Sequence, residues 1–264
     1  MNGAGPEAGP ARPGAPSRTG LWLRSGLFWL VFSTSVVLFA PVVVASRALP
    51  YPRRCRLVHH WVRFVLWWLE RCCRLTWRVS GVEHIPPGPA IVLAKHQSAW
   101  ETFALQCIFP PQVWVLKREL LWIPFFGWGL AALEPIAIDR GAGRHAVDQL
   151  VEQGTRRLQV GRWVIVFPEG TRVAPGERGR YRIGGAVLAE RSGVPVVPVA
   201  HNAGRFWPRR GFLKYPGVVD VRVLSPIDPR GKSAKQILDE AEAAIEGAMA
   251  GIDALHERTH DETS

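Results

Sequence analysis

A histidine stands five positions before a carboxylate in Lys95-His96-Gln97-Ser98-Ala99-Trp100-Glu101, and Phe167-Pro168-Glu169-Gly170-Thr171-Arg172 follows an apolar run later in the chain. The first pair has the composition of a general base with its orienting carboxylate. A neutral imidazole, with a reference pKa of about 6.5, is suited to take a proton from an attacking hydroxyl. Glu101 would fix the imidazole tautomer and stabilise the imidazolium. The second run is a candidate anion cradle. Gly170 permits a turn in which backbone N–H groups and Thr171 face an anion, Glu169 sits in the same turn, and Arg172 supplies a planar fork matched to phosphate oxygens. Alone, a glycine turn after a strand is simply a turn; with His96 upstream it becomes a specific signal.

Helix geometry constrains how the first pair can meet. If His96 and Glu101 were both helical, five steps of 100° would set them about 140° apart, too far round to touch. The histidine must therefore precede the helix that carries the carboxylate. Ser98 is the expected N-cap of that helix, since Ser98-Ala99-Trp100-Glu101 matches the capping box, which gives Glu101 a second, purely structural reason to be there. Ser98 near a histidine also raises an acyl-enzyme route, but no Gly-x-Ser-x-Gly elbow is present and direct transfer is the preferred reading.

These blocks resemble the glycerolipid acyltransferase family, most closely its bacterial 1-acyl-sn-glycerol-3-phosphate branch. Its first block reads His-x4-Asp and its third Phe-Pro-Glu-Gly-Thr-Arg. Pro135-Ile136-Ala137-Ile138-Asp139-Arg140 is similar to its second block and Val194-Pro195-Val196-Val197-Pro198-Val199-Ala200 to its fourth, so the likeness covers residues 75–225; the departure is Glu101 where the family usually has Asp. The resemblance implies acyl transfer from a thioester, acyl-CoA or acyl carrier protein, to the sn-2 hydroxyl of lysophosphatidic acid, with no further cofactor. Glycerol 3-phosphate or another lysolipid is an alternative acceptor; a lipid hydrolase and a non-catalytic lipid-binding protein are alternatives of another class. The resemblance also implies Arg140 as a second phosphate ligand beside Arg172. Lys117 is a third candidate.

Composition narrows the partners. The chain of 264 residues carries 33 Lys and Arg against 22 Asp and Glu, a net charge of +11. No RNA-type motif or zinc-finger spacing surrounds the basic residues, so nucleic acid is disfavoured, whereas anionic lipid surfaces and acidic substrates fit. Cys55, Cys72, Cys73 and Cys107 have neither metal-ligand spacing nor the density of a disulfide scaffold, which points to a reducing compartment and to no metal. Arg178, Arg180 and Arg182 suit either an acidic carrier protein or a plain solvated loop.

The elements that must hold the chemistry fall into four stretches. Residues 1–20, rich in Gly, Pro, Ala and Ser, are expected to be disordered. Residues 21–74 are expected to bind the membrane. Within them, Gly26 to Ala45 is free of charge and long enough to cross a hydrocarbon core, with Pro41 leaving open a bend that returns it to the same leaflet. Leu57 to Trp77 then places Leu57, Trp61, Phe64, Val65 and Trp68 on one helical face, an interfacial pattern with Trp67 as headgroup anchor; a basic-faced helix packed on the domain is the alternative. Arg47, Arg53, Arg54, Arg56 and Arg63, against Arg12, Arg18 and Arg24, give a positive-inside bias that puts the catalytic domain in the cytoplasm, and the resemblance implies a bacterial inner membrane.

Residues 75–255 form the expected catalytic domain and 256–264 a flexible end. β-rich runs at 77–79, 90–93, 113–116, 136–138, 163–167, 196–199 and 218–224 alternate with helical patterns at 102–108, 144–158, 183–191 and 234–249. That order predicts an α/β architecture, a mixed central sheet flanked by helices with an N-terminal apolar membrane helix. Trp122, Ile123, Phe125, Phe126, Trp128 and Leu130 form an apolar cluster suited to lining an acyl chain or dipping into lipid.

Overall fold

The computed structural model describes residues 17–139 and 141–261, with side chains as far as 255. Seven strands form one sheet in the order β1-β7-β6-β2-β5-β3-β4. They are β1 (Leu75–Ser80), β2 (Ile91–Ala94), β3 (Gln112–Lys117), β4 (Ile136–Ile138), β5 (Trp163–Val166), β6 (Val196–His201) and β7 (Gly217–Val223). The five strands from β6 to β4 are mutually parallel; β7 runs antiparallel to β6, and β1 pairs with β7 in parallel, so the sheet is mixed as expected.

β2, β5 and β6 are buried along their whole length, which is why they read as continuous apolar runs without alternation. Their side chains still divide by parity. Val92, Ala94 and Ile165 face one core with α2 (Tyr51–Cys73) and α3 (Glu101–Ile108). Ile91, Leu93, Val164 and Val166 face the other, with α5 (Arg144–Gln159), α6 (Gly184–Ser192) and α8 (Ala234–Asp261). Parallel strands need crossovers, and α3, α5 and α6 supply them, on both faces. Every parallel strand from β6 to β4 therefore ends on the same edge, where loops can converge on a ligand.

α1 (Arg18–Ala45) begins inside the stretch expected to be disordered, and residues 1–16 lie outside the described ones. The helix continues through Pro41 and is apolar enough, over its length, to cross a membrane. It lies along the domain. Toward its start, Trp29 Nε1–H donates to the Phe212 carbonyl (3.1 Å) and Ser25 Oγ accepts the Lys214 N–H (2.9 Å); further on, Trp61 Nε1–H donates to Ser35 Oγ (3.2 Å) and Phe39 stacks on Trp61. Leu23, Leu27, Leu30 and Leu38 face outward, an apolar stripe on the far side of a docked helix.

α2 corrects the sequence reading twice. It runs from Tyr51 to Cys73, ending where Arg74 turns left-handed (φ 56°), so Trp77 belongs to β1 and not to the helix. Its buried stripe is Val58, Val62, Val65, Leu66, Leu69, Cys72 and Cys73, with Trp61 and Trp68 packed against the same core, whereas Phe64, assigned to the same interfacial face as Trp61, Val65 and Trp68, is exposed. Aromatic side chains occur on both flanks of this helix, so the apolar stripe drawn through them lay rotated from the β-branched and Leu residues that the sheet and α1 cover. Trp67 is exposed as expected of an anchor. At the other end of the chain, α8 continues to Asp261, past the boundary expected at 255.

Between α1 and the loop after α7 (Ala203–Phe206) lies Lys214, fully buried, its ammonium donating to the Gly211 and Phe212 carbonyls (3.2 and 2.6 Å) over the rings of Trp29 and Trp207. Burial pushes its pKa down to about 7. The unfolded chain would bind that proton up to about pH 10.4, so between these values the unfolded state holds more protons and stability rises with pH. Lys214→Met is expected to flatten that rise. Denaturant unfolding of both proteins at pH 7 and 9.5 tests it, and an unchanged slope in the variant would count against it.

Candidate active site

His96 lies just after β2 and before α3, so its ring is free of helical geometry and swings toward the carboxylate that opens the helix. His96 Nδ1 lies 2.8 Å from Glu101 Oε1. The same oxygen accepts the backbone N–H groups of Gln97 (3.1 Å) and Ser98 (2.9 Å). Glu101 thus engages the imidazole as its spacing suggested, and in place of a capping box it takes up N–H groups of the loop that precedes α3. Burial, the largest influence, raises its carboxyl pKa, but the His96 hydrogen bond and the nearby His201 outweigh it and hold the group below the usual carboxylate range. A charged, fully buried Glu101 fixes the proton on Nδ1 of His96 and leaves Nε2 as the basic nitrogen.

Ser98 is not the N-cap. α3 starts at Glu101 with Trp100 in the cap position, and Ser98 Oγ donates to the Trp207 carbonyl (2.7 Å) while accepting the Trp100 N–H (3.1 Å). The serine is completely buried with its hydroxyl committed, so it offers no nucleophile.

The turn after β5 supports this loop from the other side. Gly170 adopts a left-handed conformation (φ 67°), where a Cβ would meet Arg182 Nε at 3.0 Å. Phe167 stacks on the His96 ring (centroids 4.0 Å apart) and Trp114 stacks on Phe167 in turn (5.6 Å). The Val173 N–H donates to the His96 carbonyl (2.8 Å). Thr171 is exposed beside the turn.

Glu169, a substrate-binding candidate as a member of that turn, is turned inward. Its Oε2 accepts the His96 N–H (2.7 Å) and its Oε1 lies 2.8 Å from Lys95 Nζ. Lys95 also pairs with Glu246 of α8 (2.8 Å), whose carboxylate accepts the Tyr181 hydroxyl (2.9 Å). Burial works to lower the Lys95 pKa, but its two carboxylates hold it above the usual range. Two carboxylates on one buried cation explain why a charge can sit in the core here. Lys95 and Glu246 were missed: Lys95 stands beside the histidine and could have been weighed, whereas nothing in the sequence links it to Glu246, on a helix 151 positions later.

Arg172 reaches the cavity that contains His96, and its buried Nε has no partner among the described residues. Burial lowers its pKa, and Glu101 works against that from nearby. Lys117 ends β3 opposite Ile138 of β4, but it is exposed and paired with Glu119 (3.2 Å), so the structure does not gather it with His96 and Arg172. Arg140 lies outside the described residues. Arg178, one of three arginines considered for a carrier protein, is bound to Glu242 (2.7 Å).

The cavity holds about 570 Å³ and opens between α1, α3 and the segment that includes α4 (Phe126–Ala132). Its walls are mostly apolar, with Phe32, Phe103, Leu130 and Trp207 among them, and His96, Arg172, Thr102, Gln106 and Ser33 are its polar members. Of the expected aromatic cluster, Phe125, Phe126 and Leu130 line it, while Trp122, Ile123 and Trp128 are exposed. A base, a half-buried guanidinium and an apolar channel thus share one space. Among the described residues no group of three or more His, Cys, Asp or Glu could hold a metal ion.

A family model described as Acyltransferase matches residues 76–202. The chain is 42% identical over 248 residues to the 1-acyl-sn-glycerol-3-phosphate acyltransferase of Pseudomonas aeruginosa, covering 92% of this chain and 96% of that protein. It is 32% identical over 171 residues to the protein so named from Saccharomyces cerevisiae, covering 62% of this chain and 56% of that one. The crystal structure of the 1-acyl-sn-glycerophosphate (LPA) acyltransferase from Thermotoga maritima has the same fold, with a TM-score of 0.73 at 24% identity over 90% of this chain and 97% of that one.

Proposed function

The chain belongs to the glycerolipid acyltransferase family, and from that premise we propose that it moves a fatty acyl group from an acyl thioester, acyl-CoA or acyl carrier protein, to the sn-2 hydroxyl of a 1-acyl-glycerol 3-phosphate, yielding phosphatidic acid for phospholipid synthesis. The observation that carries the reading is the pairing of His96 Nδ1 with the buried Glu101 carboxylate at 2.8 Å in a cavity that also receives Arg172.

In this reading the acceptor hydroxyl attacks the thioester carbonyl carbon as His96 Nε2 removes its proton. The imidazolium so formed is stabilised by Glu101 across the existing hydrogen bond. The tetrahedral intermediate collapses with cleavage of the C–S bond, and the proton on Nε2 passes to the departing thiolate, leaving ester, free thiol and neutral imidazole. A thiolate, whose conjugate acid has a pKa of about 8.5 in a cysteine-like thiol, leaves without a strong general acid, so one histidine suffices. Arg172 would hold the acceptor phosphate, and the apolar walls the alkyl chains. Glu169 and Lys95 act as positioning residues behind the histidine.

The exposed apolar stripe of α1, together with exposed Trp122 and Trp128, supports action at a membrane surface, where a lysolipid acceptor resides. We place the domain on the cytoplasmic side of a bacterial inner membrane. The deciding experiment offers purified protein in mixed micelles a labelled acyl thioester with lysophosphatidic acid, glycerol 3-phosphate or a lysophospholipid diester. Label is expected in phosphatidic acid. Preferential transfer to either of the other acceptors, or release of free fatty acid alone, would overturn the assignment.

A further inference from the structure

The turn that carries Arg172 is met by a second arginine that the sequence motifs do not include. Arg209, five residues before the buried Lys214, donates from Nη1 to the Arg172 carbonyl (2.9 Å), so its guanidinium is held at the exposed side of the Gly170-Thr171-Arg172 turn. Neither Arg172 nor Arg209 makes an ion pair among the described residues. The carboxylate that acts on Arg172 through space is Glu101, whose Oε1 is already engaged by His96 and two backbone N–H groups. The two guanidiniums also act on each other, since Arg209 works to lower the Arg172 pKa. Two like charges meet at one turn, and the Arg172 Nε is buried without a partner among the described residues, so the turn offers a site for an anion.

We infer that Arg209 is a second phosphate-binding residue, and that the Arg172–Arg209 pair selects a dianionic phosphomonoester over a singly charged phosphodiester headgroup. The inference rests on the proposed acceptor class and refines it. A monoester acquires its second charge with a pKa of about 6, whereas a diester carries one charge at every pH used. One arginine matches one charge; the second cation, at the rim where a diester would continue into its alcohol, rewards only the dianion. Lysine would keep the charge but not the fork already tied to the Arg172 carbonyl.

The test compares wild type, Arg209→Gln and Arg209→Lys in mixed micelles with a monoester acceptor, 1-acyl-glycerol 3-phosphate, and a diester acceptor, 1-acyl-glycerophosphoglycerol, and separately titrates sn-glycerol 3-phosphate by calorimetry. Arg209→Gln is expected to raise the monoester KM roughly tenfold or more, the loss of a charge-assisted hydrogen bond, while leaving the diester and donor KM values within about twofold. In wild type, glycerol 3-phosphate affinity should climb as pH rises from about 5 to 7.5 with the second phosphate ionisation, and Arg209→Gln should flatten that climb. Arg209→Lys should fall between the two. Equal KM increases for both acceptors, or an unchanged pH dependence of glycerol 3-phosphate binding, would overturn the inference. So would loss of vesicle binding by Arg209→Gln with an unaltered monoester-to-diester ratio, which would make Arg209 a membrane contact. Intact, Arg209-dependent phosphate binding without acyl transfer would leave this site standing and remove the proposed activity instead.

Discussion

His96→Ala lowers acyl transfer by about 10² to 10⁴-fold, the usual cost of removing a general base, while the protein remains folded. The expectation follows from the commitment of Nδ1 to Glu101, which leaves Nε2 with no other described role than to accept a proton. Glu101→Gln tests the second half of the pair. The amide oxygen can still accept the Gln97 and Ser98 N–H groups, so the start of α3 should survive, but the charge that stabilises the imidazolium is gone and much of the activity with it. Glu101→Asp keeps the charge at shorter reach and should retain more activity than Glu101→Gln. Turnover and unfolding have to be followed on the same variants, because a purely structural Glu101 predicts a stability loss of about 0.5 to 2 kcal/mol with normal turnover. Normal turnover by His96→Ala would remove the base assignment altogether.

Arg172→Ala should raise the acceptor KM by about one to two orders of magnitude, the cost of a charge-assisted hydrogen bond and of a phosphate left without its half-buried cation, and leave the thioester KM nearly unchanged. Arg172→Lys should recover part of the loss, since lysine offers a point charge in place of a planar fork. The backbone carbonyl that receives Arg209 persists in both variants, so the turn itself should hold. Separate initial-rate series in donor and acceptor check this. Equal impairment in both substrates, with unfolding unchanged, would mean that Arg172 shapes the cavity and does not bind phosphate.

Much of the scaffold is legible in the sequence. Seven β-rich runs correspond to seven strands, because fully buried parallel strands read as continuous Val, Ile and Leu wherever helices cover both faces. The helical runs at 102–108, 144–158 and 183–191 likewise match α3, α5 and α6 to within one or two residues. α2 was read less well: several aromatics and several β-branched residues compete for its inner face, and the choice depends on what packs against it.

The same division runs through the site. By itself the sequence determined that His96 must leave the helix before Glu101 can reach it, since a 3.6-residue turn separates residues five apart by about 140°, and that a glycine-bearing turn ending in arginine follows a buried strand. Those are local constraints, set by backbone geometry over a few residues. Only the tertiary structure decided which way Glu169 points, that Lys95 joins it to Glu246, that Ser98 spends its hydroxyl on Trp207, and that Arg209 arrives beside Arg172. Each of these depends on elements brought together from distant parts of the chain, and a buried charge takes whatever partner the packing presents because leaving it alone in a low-dielectric interior costs more than any local preference.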